Sequence, residues 1–247
     1  MKNKWNWIIG PLVIIVLWFW VAKFVFMESI LLPGPIKTLS YLVGLVLGGD
    51  ILGDFFATLF RTIIVFFIAF VVGVPLGLAL GLREPFYRSV EFLIDFFRST
   101  PATAIFPLFL LFFGVSDFSK ILAASFGAVL IVLFHSAYGV MHSKKSRVLA
   151  AKLMGASKTQ VFKWIVFWEV LPDIFVGLRS AVSVSLVIIV VLEMFIGTTV
   201  GIGKRIVDAQ IVYNTPEMYS VIILAGILGY VLNYALLLIE RKVVHWK

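Results

Sequence analysis

Two sets of charged side chains in this chain have types and spacings that could do chemistry. Lys144, Lys145, Arg147, Lys152, Lys158 and Lys163 crowd into one stretch, KKSRVLAAKLMGASKTQVFK, residues 144–163. Asp95, Arg98 and Glu193 stand instead within long runs of Phe, Leu, Ile and Val. The first set can bind, because an interrupted basic helix offers cations and an apolar edge to a soluble partner or to anionic headgroups. The second can line a route or form internal pairs, because a charge at membrane depth is costly and therefore suggestive.

Neither set supplies catalysis. No G-x-S-x-G, no H-E-x-x-H and no pair of carboxylates around a plausible water pocket occurs. His135, His142 and His245 form no metal-ligand cluster with nearby acids, and cysteine is absent, which removes thiol chemistry and Cys-based metal sites. A phosphate-binding G-x-x-x-x-G-K-[ST] loop is also missing. GIGKRI at 201–206 lacks the further glycine and the Ser or Thr, and it falls between two apolar runs rather than between a strand and a helix. No catalytic residue and no metal site is expected, and the chain does not read as an enzyme.

The elements that position these residues follow from composition. Apolar residues make up 62% of the chain and charged ones 14%, with mean hydropathy +1.08; soluble domains carry about 45–50% and about 25%. A water-soluble fold of 247 residues cannot hide that much apolar surface, so the chain is an all-α membrane protein embedded in a lipid bilayer. Strands are not expected, since the apolar runs lack the alternation of a membrane barrel. Runs of about 20 apolar residues, enough to cross ~30 Å of hydrocarbon, fall at about 6–26, 56–82, 89–113, 119–141, 174–196 and 218–239. The first opens with Lys2 and Lys4 like a signal peptide. Its apolar run is too long for one and no small-residue cleavage site follows, so a retained span is expected. Segment 27–55 is apolar but broken by Pro33, Pro35, Gly48 and Gly49; its 36–47 part is too short to span and is expected to lie along the outer surface, the alternative being a seventh span.

The formal charge of +8 fits Lys and Arg gathered in cytoplasmic loops rather than a nucleic-acid partner. With both termini inside, segments 1–5, 83–88, 142–173 and 240–247 hold most of the cations. The outer loops keep Lys37, Lys120, Lys204 and Arg205, with Lys23 near that side. This asymmetry places the basic stretch in the cytoplasm.

Within that stretch the pattern reads as two short helices hinged at Gly155. Leu149, Leu153 and Met154 share one side of the first helix, while Val161, Phe162 and Ile165 recur at helical spacing in the second. Ser157 is placed to cap the second helix. The residues alone allow two readings: a handle for a soluble partner, or a loop lying on the lipid surface. In the second span Gly73, Gly77 and Gly81 form a stripe that lets another backbone approach, either within the chain or across a dimer seam, and Pro75 predicts a kink nearby. Asp95 and Arg98, three apart, pair along a helix or meet a solute. Pro101 and Pro107 then predict a broken third span whose freed backbone groups face protein or water. Glu193 is expected to pair with Arg61 or Arg179, or to line a gate.

Ala150, Ala151, Gly155, Ile165, Pro172 and the run GLR at 177–179 resemble the cytoplasmic EAA loop of the permease subunits of bacterial ABC importers. RSTPATAIFPLFLLFFGVSDFSKIL at 98–122, LEMFIGTTVGIGKRI at 192–206, ERKVVHW at 240–246, LPGP at 32–35 and TLFRTIIVFFIAFVVGVPLGLALGL at 58–82 are similar to the nitrate/sulfonate/taurine-type branch, so the resemblance covers nearly the whole chain. The chain departs from the family pattern at Leu149, where a Glu leads the motif, and at Trp168, where the first of two prolines is usual.

The resemblance implies a type I, MetI-like permease fold of six transmembrane helices, one permease domain over 1–247. It implies a coupling loop over about 142–173 whose Ala150, Ala151, Lys152, Gly155, Ala156, Ser157, Lys158 and Phe162 dock on a separate ATPase subunit. ATP and Mg would be bound by that subunit, with no cofactor in this chain. It implies an extracytoplasmic solute-binding protein, a second permease copy, and residence in a prokaryotic inner membrane. Asp95, Arg98, Pro101, Pro107 and Glu193 are the candidates for the translocation path. The rival from another class is a self-sufficient secondary transporter or channel, which predicts two internally similar halves with matched broken helices. A membrane scaffold without transport has no use for a bent, charged third span.

Overall fold

The computed structural model describes residues 6–26, 30–195 and 197–246; Lys2, Lys4, Lys247, Ile196 and the 27–29 part of the broken segment lie outside the described residues. Among the described residues all regular structure is helical. Four helices are long and apolar enough to cross a bilayer: Leu52–Gly81, Asp117–Met141, Lys158–Glu193 and Thr215–Val243. A fifth span arises if Glu84–Ser99 and Ala102–Phe113, bent by 88°, are taken as one. With helix α1 (Asn6–Trp20) and its π-helical continuation Val21–Val25, an apolar helical segment stands at each of the six expected positions.

The domain expected over 1–247 is built from two compact units, residues 1–57 with 193–227 and residues 58–192 with 228–247. In the first unit, α2 (Pro35–Gly48) is 14 residues long, about 21 Å at 1.5 Å per residue, too short to cross ~30 Å. It starts with Pro35 at a first-turn position and stops at Gly49, whose φ of 81° closes the helix in the left-handed region. Thr38, Leu42 and Leu45 form its buried face. The Thr38 carbonyl accepts a 2.8 Å bond from the Ser220 hydroxyl on α12 (Thr215–Val243). Trp18 of α1 donates its indole N–H to the Pro33 carbonyl at 3.1 Å and stacks on Tyr219.

In the second unit, α3 (Leu52–Ile68, of which residues from Thr58 belong here) passes through a π-helical turn, Ala69–Gly73, into α4 (Val74–Gly81). Pro75 has no N–H and crowds the carbonyl one turn back; the wide turn just before it is where the helix absorbs that mismatch. The glycine stripe packs within the chain, against α7 (Asp117–Met141). A Cβ added at Gly73 would stand 2.8 Å from the Val132 Cβ, one at Gly77 2.6 Å from the Ser136 Cβ, and one at Gly81 2.7 Å from the Ala137 carbonyl. Between membrane helices such backbone approach supplies the dispersion contacts that hydrophobic burial supplies in water. Gly177, on α10 (Phe167–Glu193), repeats the device beside His135. Phe106, Val132, Val170, Ile174 and Ile189 fill the core between these helices.

The third span departs from a straight crossing. α5 (Glu84–Ser99) and α6 (Ala102–Phe113) meet at 88° across Thr100–Pro101. Pro101 sits before the first turn of α6 with φ −60°, and a residue preceding proline is driven out of helical geometry, so Thr100 takes the extended ψ of 121°. The break lies at Pro101, while Pro107 stands inside α6 without ending it. α5 is strongly two-sided: Tyr87 and Ile94 are buried, while Glu84, Arg88, Glu91 and Asp95 fall on another side.

Candidate functional site

The basic stretch folds as a hairpin whose bend is made by its own backbone. α8 (Lys145–Leu153) ends at Met154, and Gly155 takes φ 83°, a conformation that costs a residue with a Cβ roughly 1–2 kcal/mol. The Ala156 N–H reaches the Ala151 carbonyl and the Gly155 N–H the Lys152 carbonyl, both at 3.0 Å; these two bonds satisfy carbonyls that the helix end would leave bare. The chain restarts at once. The Ser157 hydroxyl accepts from the Gln160 N–H at 3.3 Å and the Gln160 side chain accepts from the Ser157 N–H at 2.8 Å, a reciprocal cap on α9 (Lys158–Val161). Gly155 and Ser157 thus act as the sequence predicts.

The second arm is not a short helix. α9 continues through a π-helical turn, Phe162–Val166, into α10, one helical run from Lys158 to Glu193. The span expected from 174 therefore begins 16 residues earlier as helix, and Pro172 lies inside it without ending it. Val161 is buried and Phe162 and Ala156 pack against the core of their unit, as do Val148 and Ala151 of the first arm. Opposite that footing the tip is bare: Leu149 is 59% exposed, Leu153 81% and Met154 87%. Ala150, Lys152, Gly155, Ser157 and Lys158 are exposed with them.

Sequence reading missed the residue that holds the base of the hairpin. Glu169 accepts from the Lys144 backbone N–H at 3.0 Å and from the Arg147 guanidinium at 2.5 Å. An exposed pair contributes at most about 1 kcal/mol, so its main effect is to fix how α8 leaves the bundle. Nothing in the local spacing links residues 147 and 169 until the hairpin is folded. Beside it Trp168, the departure from the family pattern, meets Trp246 edge to face at 5.3 Å.

The embedded charges are distributed differently from the hairpin. Asp95 and Arg98 do pair, at 3.4 Å along α5, and the Arg98 guanidinium lies 3.7 Å from the Phe134 ring centroid, a cation–π contact that ties α5 to α7. Arg61 is buried and binds Asp117 at 2.9 Å, next to Lys120 on the same carboxylate. Arg179 holds Glu240 at 3.1 Å. The Glu193 carboxylate is fully buried and accepts the Gly203 N–H at 3.0 Å, at the N-terminus of α11 (Ile202–Ile211). A Cβ on Gly201 would collide with that carboxylate, and Gly201 stands at φ 151°. The Gly201 N–H donates to Asp54 at 2.8 Å, and Arg205 joins Asp54 to Glu217. Tyr41 and Asn214 donate to the same Glu217 carboxylate at 3.1 Å and 2.7 Å. GIGKRI is thus a structural clamp built on backbone amides. Pro101 stands at the 88° break and Pro107 within α6.

Residues 73–245 match the family of binding-protein-dependent transport system inner membrane components. The whole chain aligns, at 27% identity over 255 residues and 90% of the relative's length, with "Putative aliphatic sulfonates transport permease protein SsuC" of Bacillus subtilis (strain 168). The taurine transport system permease protein TauC of Escherichia coli (strain K12) is 29% identical over 154 residues, 62% of this chain and 56% of its own. A crystal form described as an inward-facing conformation of the MetNI methionine ABC transporter shares the fold. Its TM-score is 0.70 at 22% identity, over 78% of this chain and 95% of that one.

Proposed function

From the premise that the chain belongs to the family of binding-protein-dependent transport system inner membrane components, and so is a translocation subunit of an ABC importer, we propose how it is driven and what it carries. The 142–173 hairpin is the handle gripped by a separate ATPase subunit, through Ala150, Ala151, Lys152, Gly155, Ala156, Ser157, Lys158 and Phe162. The observation that carries this reading is the bare apolar tip, Leu153 at 81% and Met154 at 87% exposure, on a base tied to Glu169 through Lys144 and Arg147 and continuous with a 36-residue helix. A tip that only rested on lipid would not need so stiff a footing. Movement of the ATPases is passed on to the extent that they bind the tip with different free energies in their two states. ATP and Mg belong to that partner.

The solute is a small oxyanion or organic molecule of the nitrate, sulfonate or taurine kind, with a vitamin precursor as the other candidate; the relatives named for sulfonates and taurine support the first. It is delivered by an extracytoplasmic binding protein to a pair of permease copies in the inner membrane, both termini of each in the cytoplasm. Asp95, Arg98, Pro101 and Pro107, around the bent third span, are the residues proposed to border the route. Glu193 is proposed to act there by fixing the 193–203 turn.

The test is Ala151→Glu, which places a charge where a half-buried side chain packs on the core. It should abolish ATP-driven uptake and loosen ATPase co-purification while insertion stays intact. The chain has no cysteine, so Met154→Cys reports sidedness without background. Labelling of that position from the periplasm, full uptake by Ala151→Glu, or ATP-independent uptake by this chain alone in proteoliposomes would each overturn the proposal.

A further inference from the structure

The hairpin carries more cations than an apolar tip uses. Arg83, Lys145, Lys152 and Lys158 line one cleft of about 870 Å³, between the end of α4 and the hairpin. No ion pair engages any of the four among the described residues. The one carboxylate in the wall, Glu84, already holds Arg88 at 2.8 Å. Apart from Ser143, whose hydroxyl donates to the Val140 carbonyl, the remaining wall is apolar, with Leu82, Met141, Val161 and Val166.

The cleft also has a fixed level. Gly81 and Met141 are the last residues of two bilayer-length helices and Lys158 is the first of a third. A helix of 30 residues such as Leu52–Gly81 is about 45 Å long, against ~30 Å of hydrocarbon, so these ends reach the headgroup layer. A soluble anion would satisfy the cations and leave the apolar wall wet. An apolar peptide would leave four cations without counter-charge. An amphiphile whose negative charge is joined to hydrocarbon satisfies both, and basic pockets between spans on the cytoplasmic side take such headgroups.

We propose that this cleft seats an anionic phospholipid, its phosphate held by Arg83 and Lys145 and its acyl chains continuing along Leu82 and Val166, while Lys152 and Lys158 add positive field from the side left to the ATPase. The lipid would lie behind the tip and stiffen the footing against which an ATPase pulls. Its assignment to the inner leaflet rests on the orientation proposed above; the binding itself does not, because a detergent-solubilised protein has no sidedness.

The experiment is native mass spectrometry of the delipidated full chain titrated with phosphatidylglycerol or phosphatidylcholine. Phosphatidylglycerol should be retained at least tenfold more strongly. The double variant Arg83→Gln, Lys145→Gln should lower its retention about tenfold towards the phosphatidylcholine level. Arg83→Lys with Lys145→Arg, which keeps both charges, should restore it, and Lys163→Gln, exposed and outside the cleft, should leave it unchanged. Equal retention of the two lipids, or undiminished phosphatidylglycerol binding in the double variant, would overturn the proposal. So would displacement by millimolar inorganic phosphate, which would mark a free-anion site, or complete displacement by the purified ATPase subunit, which would mark a protein footprint. Failure of the handle reading would show separately, as normal ATPase co-purification by Ala151→Glu.

Discussion

The 193–217 clamp and the 144–166 hairpin are both turns made around glycines, yet they are secured in opposite ways. At the clamp, Gly201 and Gly203 hand their N–H groups to Asp54 and Glu193, and Arg205, Tyr41 and Asn214 converge on Glu217. Two of these bonds, Gly201 to Asp54 and Tyr41 to Glu217, tie distant parts of the chain together, the others are local, and Glu193 and its neighbour Leu192 are fully buried. At the hairpin, the bonds that shape the bend join residues at most five apart, from Ala151 to Gln160, and the tip is bare. The first arrangement loses much if one member is removed, because buried polar groups are left without partners. The second draws its bend from local bonds, rests its inner side on the core of its unit and leaves its tip bare. The two turns are distinguished here by what covers them, a fully buried carboxylate at the clamp and bare apolar side chains at the hairpin tip.

That contrast can be broken experimentally. The largest effect is expected from Gly201→Ala, whose Cβ would enter the Glu193 carboxylate at a φ of 151°. A loss of about 3–5 kcal/mol should remove most folded protein, read by size-exclusion fluorescence in detergent. Gly155→Pro comes next: proline requires φ near −65° where the chain has 83°. It should abolish transport while the detergent melting temperature stays within a few degrees of the parent; a collapse as deep as that of Gly201→Ala would make the hairpin part of the frame. Leu153→Ser with Met154→Ser should weaken ATPase capture at least tenfold, the worth of burying side chains of this size being roughly 1.5–3 kcal/mol each, with no change in melting. The smallest effect is expected from Ser157→Ala, about 1 kcal/mol. It should appear as roughly fivefold faster amide exchange confined to 158–161.

Much of this was legible in the sequence, for reasons that differ by element. Apolar run length located the six segments, since the bilayer fixes how many such residues are needed. Gly155 and Ser157 were readable because left-handed bends and N-caps draw on few residue types. The broken third span followed from Pro101, though α5 turning through 88° did not. Pairings across the fold were hidden: Arg61 with Asp117, Arg179 with Glu240 and Arg147 with Glu169 join helices whose mutual register no local pattern encodes. The start of the Lys158–Glu193 helix is misplaced because Lys158, Gln160, Lys163 and Glu169 make its first turns read as a loop outside the membrane, although they are helical.

The uninterrupted run from Lys158 to Glu193 has a mechanical corollary. Thirty-six residues make a rod of about 54 Å, and a tilt of about 5° swings one end by about 5 Å relative to the other. Small angular play at its Lys158 end is therefore magnified towards Glu193, with the π-helical turn at Phe162–Val166 and Pro172 as the two places where the rod can flex.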